Sequence, residues 1–130
     1  MLFYIDMYTR PSAIVSLSMQ TALIILLLLN ALRGEANALM PSPLLNERAQ
    51  TRAEYLCSHN QWSHRSWLRS FEGIEYRMVG ENLSRNQDPF SAFVAWFNSP
   101  THLINMLNPI FRSVGVGTEC GIIVTLFADI

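Results

Sequence analysis

Between Arg10 and Arg33 the chain runs for 22 residues without a formal charge, and within that stretch Ala22 to Leu29 reads ALIILLLL. Such a segment has few fates. It can span a bilayer, which takes about 20 apolar residues, it can be an export signal, or it can be a helix buried inside a domain. Arg10 before it and the small-x-small series Ala36, Asn37, Ala38 after it fit a signal peptide cut after Ala38. An uncleaved anchor fits too, and would give membrane contact through residues 11–32. Asn30 and Arg33, polar residues beyond the leucine run, fit a covered core helix. The residues alone leave all three open.

The 130 residues allow one compact domain. Its nine basic residues are all arginine, and ten acids bring the net charge to −1, which argues against a nucleic-acid partner. Cys57 and Cys120 form no CxxC pair, which argues against a thiolate zinc site. In an exported chain they would form one disulfide, in a cytosolic one two buried thiols.

Local signals divide the remainder. Ser42 and Pro43 make an N-cap and first-turn pair, and Leu45, Ala49, Ala53 and Leu56 follow at helical spacing, which predicts a helix over about 43–58. The next stretch, from Asn60 to Asn82, has no sustained period and reads as loop with a short helical turn near Trp67. Asp88 and Pro89 start a second helix, with Phe90, Phe93, Val94 and Phe97 on one face at core spacing, so Phe93 and Phe97 are expected in the core. Ser99 and Pro100 start a third, with Leu103, Ile104 and Leu107 inward, and Asn108 and Pro109 end it. Val114 and Val116 alternate with glycines, and Ile122 to Phe127 is rich in β-branched residues. Both read as strands of a hairpin turning near Thr118 to Gly121. Helices followed by a short sheet give an α+β class.

Three histidines and a few acids could carry chemistry. His59 and His64 flank Trp62, His102 opens the last helix, and Glu81 follows Gly80 in the aperiodic stretch. Two imidazoles and a carboxylate suffice for a catalytic zinc or a general acid/base site, provided the fold brings them together. Otherwise His102 supports the helix start and Glu81 its own loop. No nucleophile elbow, phosphate loop, HExxH or Walker-type lysine is present. The aromatic group Trp62, Trp67, Phe71, Trp96 and Phe97 reads first as core and second as the lining of a pocket.

The order of several short strings resembles the CAP superfamily (cysteine-rich secretory proteins, antigen 5 and pathogenesis-related 1), in its short bacterial and phage SCP-like branch. They are LNALR from Leu29, SPLLNERAQTRAEYL from Ser42, WSH from Trp62, GENL from Gly80 and WFNSPTHLINMLNPIFRSVGVG from Trp96 to Gly117. The resemblance implies an α-β-α sandwich, a small antiparallel sheet between helices. It sets the domain at 22–130, with 1–21 a leader or extension and 22–33 either its first helix or a signal or anchor. It also implies a cleft with His64 as first histidine, Glu81 as the glutamate and His102 as the histidine after Ser-Pro, beside Asn82 and Trp96. Two departures stand out. Asn98 and Ser99 occupy the place of the second glutamate of animal and plant members, and the last strand reads Gly121-Ile-Ile-Val-Thr-Leu-Phe where those members carry a histidine. Any Zn2+ or other divalent ion would therefore need His102 together with His64 and Glu81.

The function implied first is a non-catalytic binding domain, secreted or at the cell envelope, whose cleft takes a small ligand such as a lipid or wall component. The alternatives are a metal-dependent hydrolase using His64, Glu81 and His102, and a structural or phage-encoded envelope protein. If residues 22–33 are only a core helix, a cytoplasmic location is also open.

Overall fold

A computed structural model describes residues 17–130. Its elements in chain order are α1 (Leu17–Arg33), β1 (Met40–Pro41), α2 (Pro43–Ser58), β2 (Val79–Arg85), α3 (Pro89–Phe97), α4 (Pro100–Leu107), β3 (Ser113–Glu119) and β4 (Ile122–Ala128), with 3-10 turns at Glu35–Asn37 and Trp67–Phe71. The leader or extension expected over 1–21 lies outside the described residues up to position 16, and its last five positions belong to α1. Among the described residues no helix is long and apolar enough to cross a membrane.

The sheet order is β1-β3-β4-β2. β4 lies antiparallel between β2 and β3, whereas the two-residue β1 pairs parallel with β3, so the sheet is mixed. Alternation along the strands separates two cores. Val114, Val116, Ile123 and Phe127 meet Ile25, Leu29, Ala92, Trp96 and Met106 from α1, α3 and α4. Val124, Leu126 and Ala128 meet Leu45, Ala49, Ala53, Leu56 and Phe71 on the other side. This is an α-β-α sandwich, and α1 is one of its packed helices.

The alternating glycines of β3 have a steric cause. A Cβ at Gly115 or Gly117 would run into the α2 backbone around Leu45, Asn46, Ala49 and Gln50. The helix therefore lies directly on the strand. That approach lets α2 side chains bond the β3 edge beyond β1, where Asn46 Oδ1 accepts from Val116 N at 2.9 Å and Gln50 Oε1 from Thr118 N at 3.0 Å. The β2 edge is closed likewise, with Trp96 Nε1 donating to Leu83 O at 2.9 Å and Asn105 Nδ2 to Glu81 O at 3.3 Å. Arg33, buried at the end of α1, donates to the carbonyls of Asn37, Met106, Asn108 and Phe111, fastening α1 to the carbonyl end of α4. Burial lowers its pKa from the ordinary value.

The helix starts follow their caps. Ser42 Oγ accepts from Leu45 N and Asp88 Oδ1 from Ser91 N. The expected hairpin turns at Cys120-Gly121, both with positive φ, as a two-residue turn needs. Cys57 at the end of α2 and Cys120 in that turn form a disulfide, with Cα atoms 5.8 Å apart.

Two helix faces differ from expectation. On α3 the buried positions are Ala92 and Trp96, Phe93 is half-buried, and Phe90, Val94 and Phe97 are exposed. The bond from the Trp96 indole to Leu83 turns that side chain to the sheet and carries the phenylalanine stripe outward. On α4 Met106 is buried and Leu103 half-buried, while Ile104 and Leu107 point out, because Asn105 is drawn to β2. Of the aromatic group, Phe71 and Trp96 are core, Trp67 is half-buried, and Trp62 and Phe97 are exposed.

Candidate functional site

Glu81 lies not in a loop but in the middle of β2, opposite Leu126 of β4. Its side chain points to the α2 face, where Arg52 stands on the same stripe as Leu45, Ala49 and Leu56. Arg52 Nε donates to Glu81 Oε2 at 2.9 Å and Nη2 to Oε1 at 3.3 Å, with both side chains buried. The same guanidinium donates to the carbonyls of Ser63 and Arg65, each at 3.1 Å, and so holds the loop that carries His64. His64 Nδ1 then lies 2.8 Å from Glu81 Oε1. With Nδ1–H donating to the carboxylate, Nε2 is the nitrogen left for solvent or ligand. Half of the His64 side chain is exposed, against 1% for Glu81.

His102 reaches the same place from α4. Its Nδ1 is 2.7 Å from Ser99 Oγ, so the helix-opening serine bonds the histidine and makes no side-chain cap bond. Asn82, fully buried, donates from Nδ2 to His102 O at 3.2 Å and accepts from Asn105 Nδ2 at 2.9 Å. Burial first, and then the charge of His64, lower the His102 pKa below its ordinary 6.5, which favours the neutral ring at pH 7. His64, Trp67, Glu81, Asn82, His102 and Asn105 line one depression of about 390 Å³. A neighbouring groove of about 380 Å³ shares His102 and contains Trp62 and Trp96. His59 stands apart at the end of α2, stacked on Tyr55.

The fold thus brings His64, Glu81, His102 and Asn82 together, while Trp96 belongs to the adjoining groove and to the core. Two residues escaped the sequence reading. Arg52 left one signal, a charge on an otherwise apolar helical stripe; Asn105 left none. The zinc set His64, His102 and Glu81 does not fit an ion, because the Glu81 oxygens are engaged by Arg52 and His64. Among the described residues no three His, Cys, Asp or Glu side chains are grouped to hold a metal. What remains is a pair of imidazoles over a neutralised carboxylate, with amide and aromatic groups around them.

Comparison with known proteins agrees with this architecture. YkwD of Bacillus subtilis (strain 168), an uncharacterised protein, is 35% identical over 82 residues, 56% of this chain and 32% of that protein, so the chain spans about a third of that relative. An extracellular protein containing an SCP domain from Bacillus anthracis superposes with a TM-score of 0.75 at 23% identity, covering 85% of this chain and 41% of that one. An outer surface protein from Borrelia burgdorferi superposes with a TM-score of 0.67 at 21% identity, covering 80% and 85%. At these identities the superpositions speak for the fold. The profile of the Cysteine-rich secretory protein family, CAP, matches residues 26–121, most of the two-core sandwich with its histidine-lined depression, and the chain belongs to that family.

Proposed function

We propose that this is a binding domain acting outside the cell or at its envelope, and that the depression between His64 and His102 takes a small lipid or cell-wall component. The observation that carries the reading is the state of Glu81. Its oxygens are held by Arg52 and His64, so the carboxylate organises the wall of the cleft and is not free as a base for a metal-bound water. The imidazole Nε2 atoms, the Asn105 amide and the Trp67 ring are what a ligand would meet. An extracellular setting is consistent with the extracellular protein of Bacillus anthracis and the outer surface protein of Borrelia burgdorferi that share this fold and with the disulfide.

The test is NMR of the histidine rings during titration with two probes, a muramyl disaccharide and oleate. Saturable shifts of His64 and His102 with one probe, weakened at least about tenfold by His64→Ala with His102→Ala, support the reading. Silence of both rings with both probes overturns it, and so does cleavage of a probe.

A further inference from the structure

Among the described residues, the outer surface of the α1, α3 and α4 layer is built from stretches without formal charge. No Asp, Glu, Lys or Arg occurs from Leu17 to Leu32 or from Pro89 to Phe111. Arg33 is turned inward onto carbonyls. On this layer Leu23, Leu27, Phe90, Val94, Phe97 and Ile104 are each 45–65% exposed. The opposite layer shows what an ordinary outer face looks like, since α2 turns Glu47, Thr51 and Glu54 to solvent.

From this face we infer that two copies of the chain associate through the α1, α3 and α4 layer. Half-exposed side chains of this size present about 100 Å² each, or about 600 Å² for the six. That is the upper end of the largest patch on a monomer and most of the ~800 Å² that one partner of a standard complex buries. Aromatic and aliphatic groups without charge are the composition of an interface core. Charge selects the occupant. An anionic membrane is held by basic residues around an apolar face, and among the described residues this layer has none free. A charged protein partner would find nothing complementary. A second copy brings the same uncharged surface, meets no like-charge repulsion, and closes the contact about a two-fold axis. Ser91 and Asn98, exposed beside the apolar groups, supply polar atoms for the rim. The association does not depend on what the cleft binds.

Sedimentation of the full chain over an approximately hundredfold concentration range tests this. The expected species has twice the 14.8 kDa of one chain. Val94→Glu with Ile104→Glu should weaken association more than tenfold while circular dichroism stays unchanged. If that double variant fails to fold, Ile104→Lys alone, at the most exposed of the six positions, gives the same reading. A wild-type chain that stays monomeric throughout overturns the inference, and so does a dimer indifferent to these substitutions. A monomer that co-sediments with phosphatidylcholine vesicles, and stops doing so when Val94 becomes Glu, would assign the face to lipid and also overturn it.

Discussion

Replacing Gly117 with alanine tests whether the α2 and β3 backbones touch. The added Cβ would lie 2.5 Å from Ala49 C and from Gln50 Cα, and nearer still to Gln50 N. Carbon atoms prefer about 3.5 Å or more, so α2 must retreat by roughly 1 Å, a gap that forfeits up to half of the contact energy across it. Leu45 and Leu56 are fully buried on that interface. Each is worth about 1.5 to 3 kcal/mol, so their share of the loss is roughly 1 to 3 kcal/mol. The retreat also stretches the bonds from Thr118 N to Gln50 and from Val116 N to Asn46, at about 1 kcal/mol each. The sum is about 3 to 5 kcal/mol. Urea unfolding should show it directly, and a thermal melt should fall by roughly 12 to 20 °C, at about 4 °C per kcal/mol for a domain of this size. Gly34→Ala is the control. Gly34 has φ +82 and ψ 166, backbone that only glycine readily adopts, with nothing within 4 Å of an added Cβ, so backbone strain of about 1 to 3 kcal/mol without any clash is expected. A Gly117→Ala loss below about 1 kcal/mol would refute the close approach.

Arg52→Met should destabilise the domain by about 3 to 5 kcal/mol by leaving Glu81 buried without its guanidinium, and adding Glu81→Met should recover most of it; urea titration of both variants checks this, and no recovery in the double variant would count against the pairing. Reducing the Cys57 to Cys120 bond, which spans a sequence separation of 63, should cost about 4 kcal/mol by loop entropy, read as a lower urea midpoint in dithiothreitol; an unchanged midpoint would contradict the bridge. His102 should titrate below 6.5 by ring NMR, and His64→Gln should raise its midpoint by removing a neighbouring charge. Because the folded pKa is the depressed one, the His102 contribution to stability is complete above the unfolded value and is lost as pH falls through 6.5 toward the folded pKa. A midpoint at or above 6.5 would be incompatible with burial of the neutral ring.

What could be read from the chain was what neighbouring residues decide. Ser42 with Pro43 and Asp88 with Pro89 announce helices that begin where expected, because an N-cap bond reaches only three residues. β2 could not be read that way. Its residues VGENLSR carry little β preference, and they are a strand because β4 pairs with them from about 40 residues away. The outward stripe of α3 misled for a related reason. Spacing of 0, 3, 4 and 7 counts apolar residues, but the face turned inward is the one that buries Ala92 and the large Trp96 in the core and lets its indole bond Leu83 O. At the cleft, family resemblance singled out His64, Glu81 and His102, and the fold gathers them. It could not show that Arg52 occupies Glu81, since that contact follows from how α2 is rotated on the sheet.

The side chains that close the two sheet edges also bear on self-association. An open strand edge is a template on which any extended segment can add, and it is a common start of fibrous aggregation. Here Asn46 and Gln50 act as a surrogate strand along β3, and Trp96 and Asn105 occupy carbonyls on β2. Strand addition would have to displace a buried indole on one side or peel a helix away on the other. The domain can therefore carry an uncharged, apolar helical face while the β2 carbonyls of Glu81 and Leu83 and the β3 amides of Val116 and Thr118 are already engaged, which leaves less backbone open to uncontrolled growth.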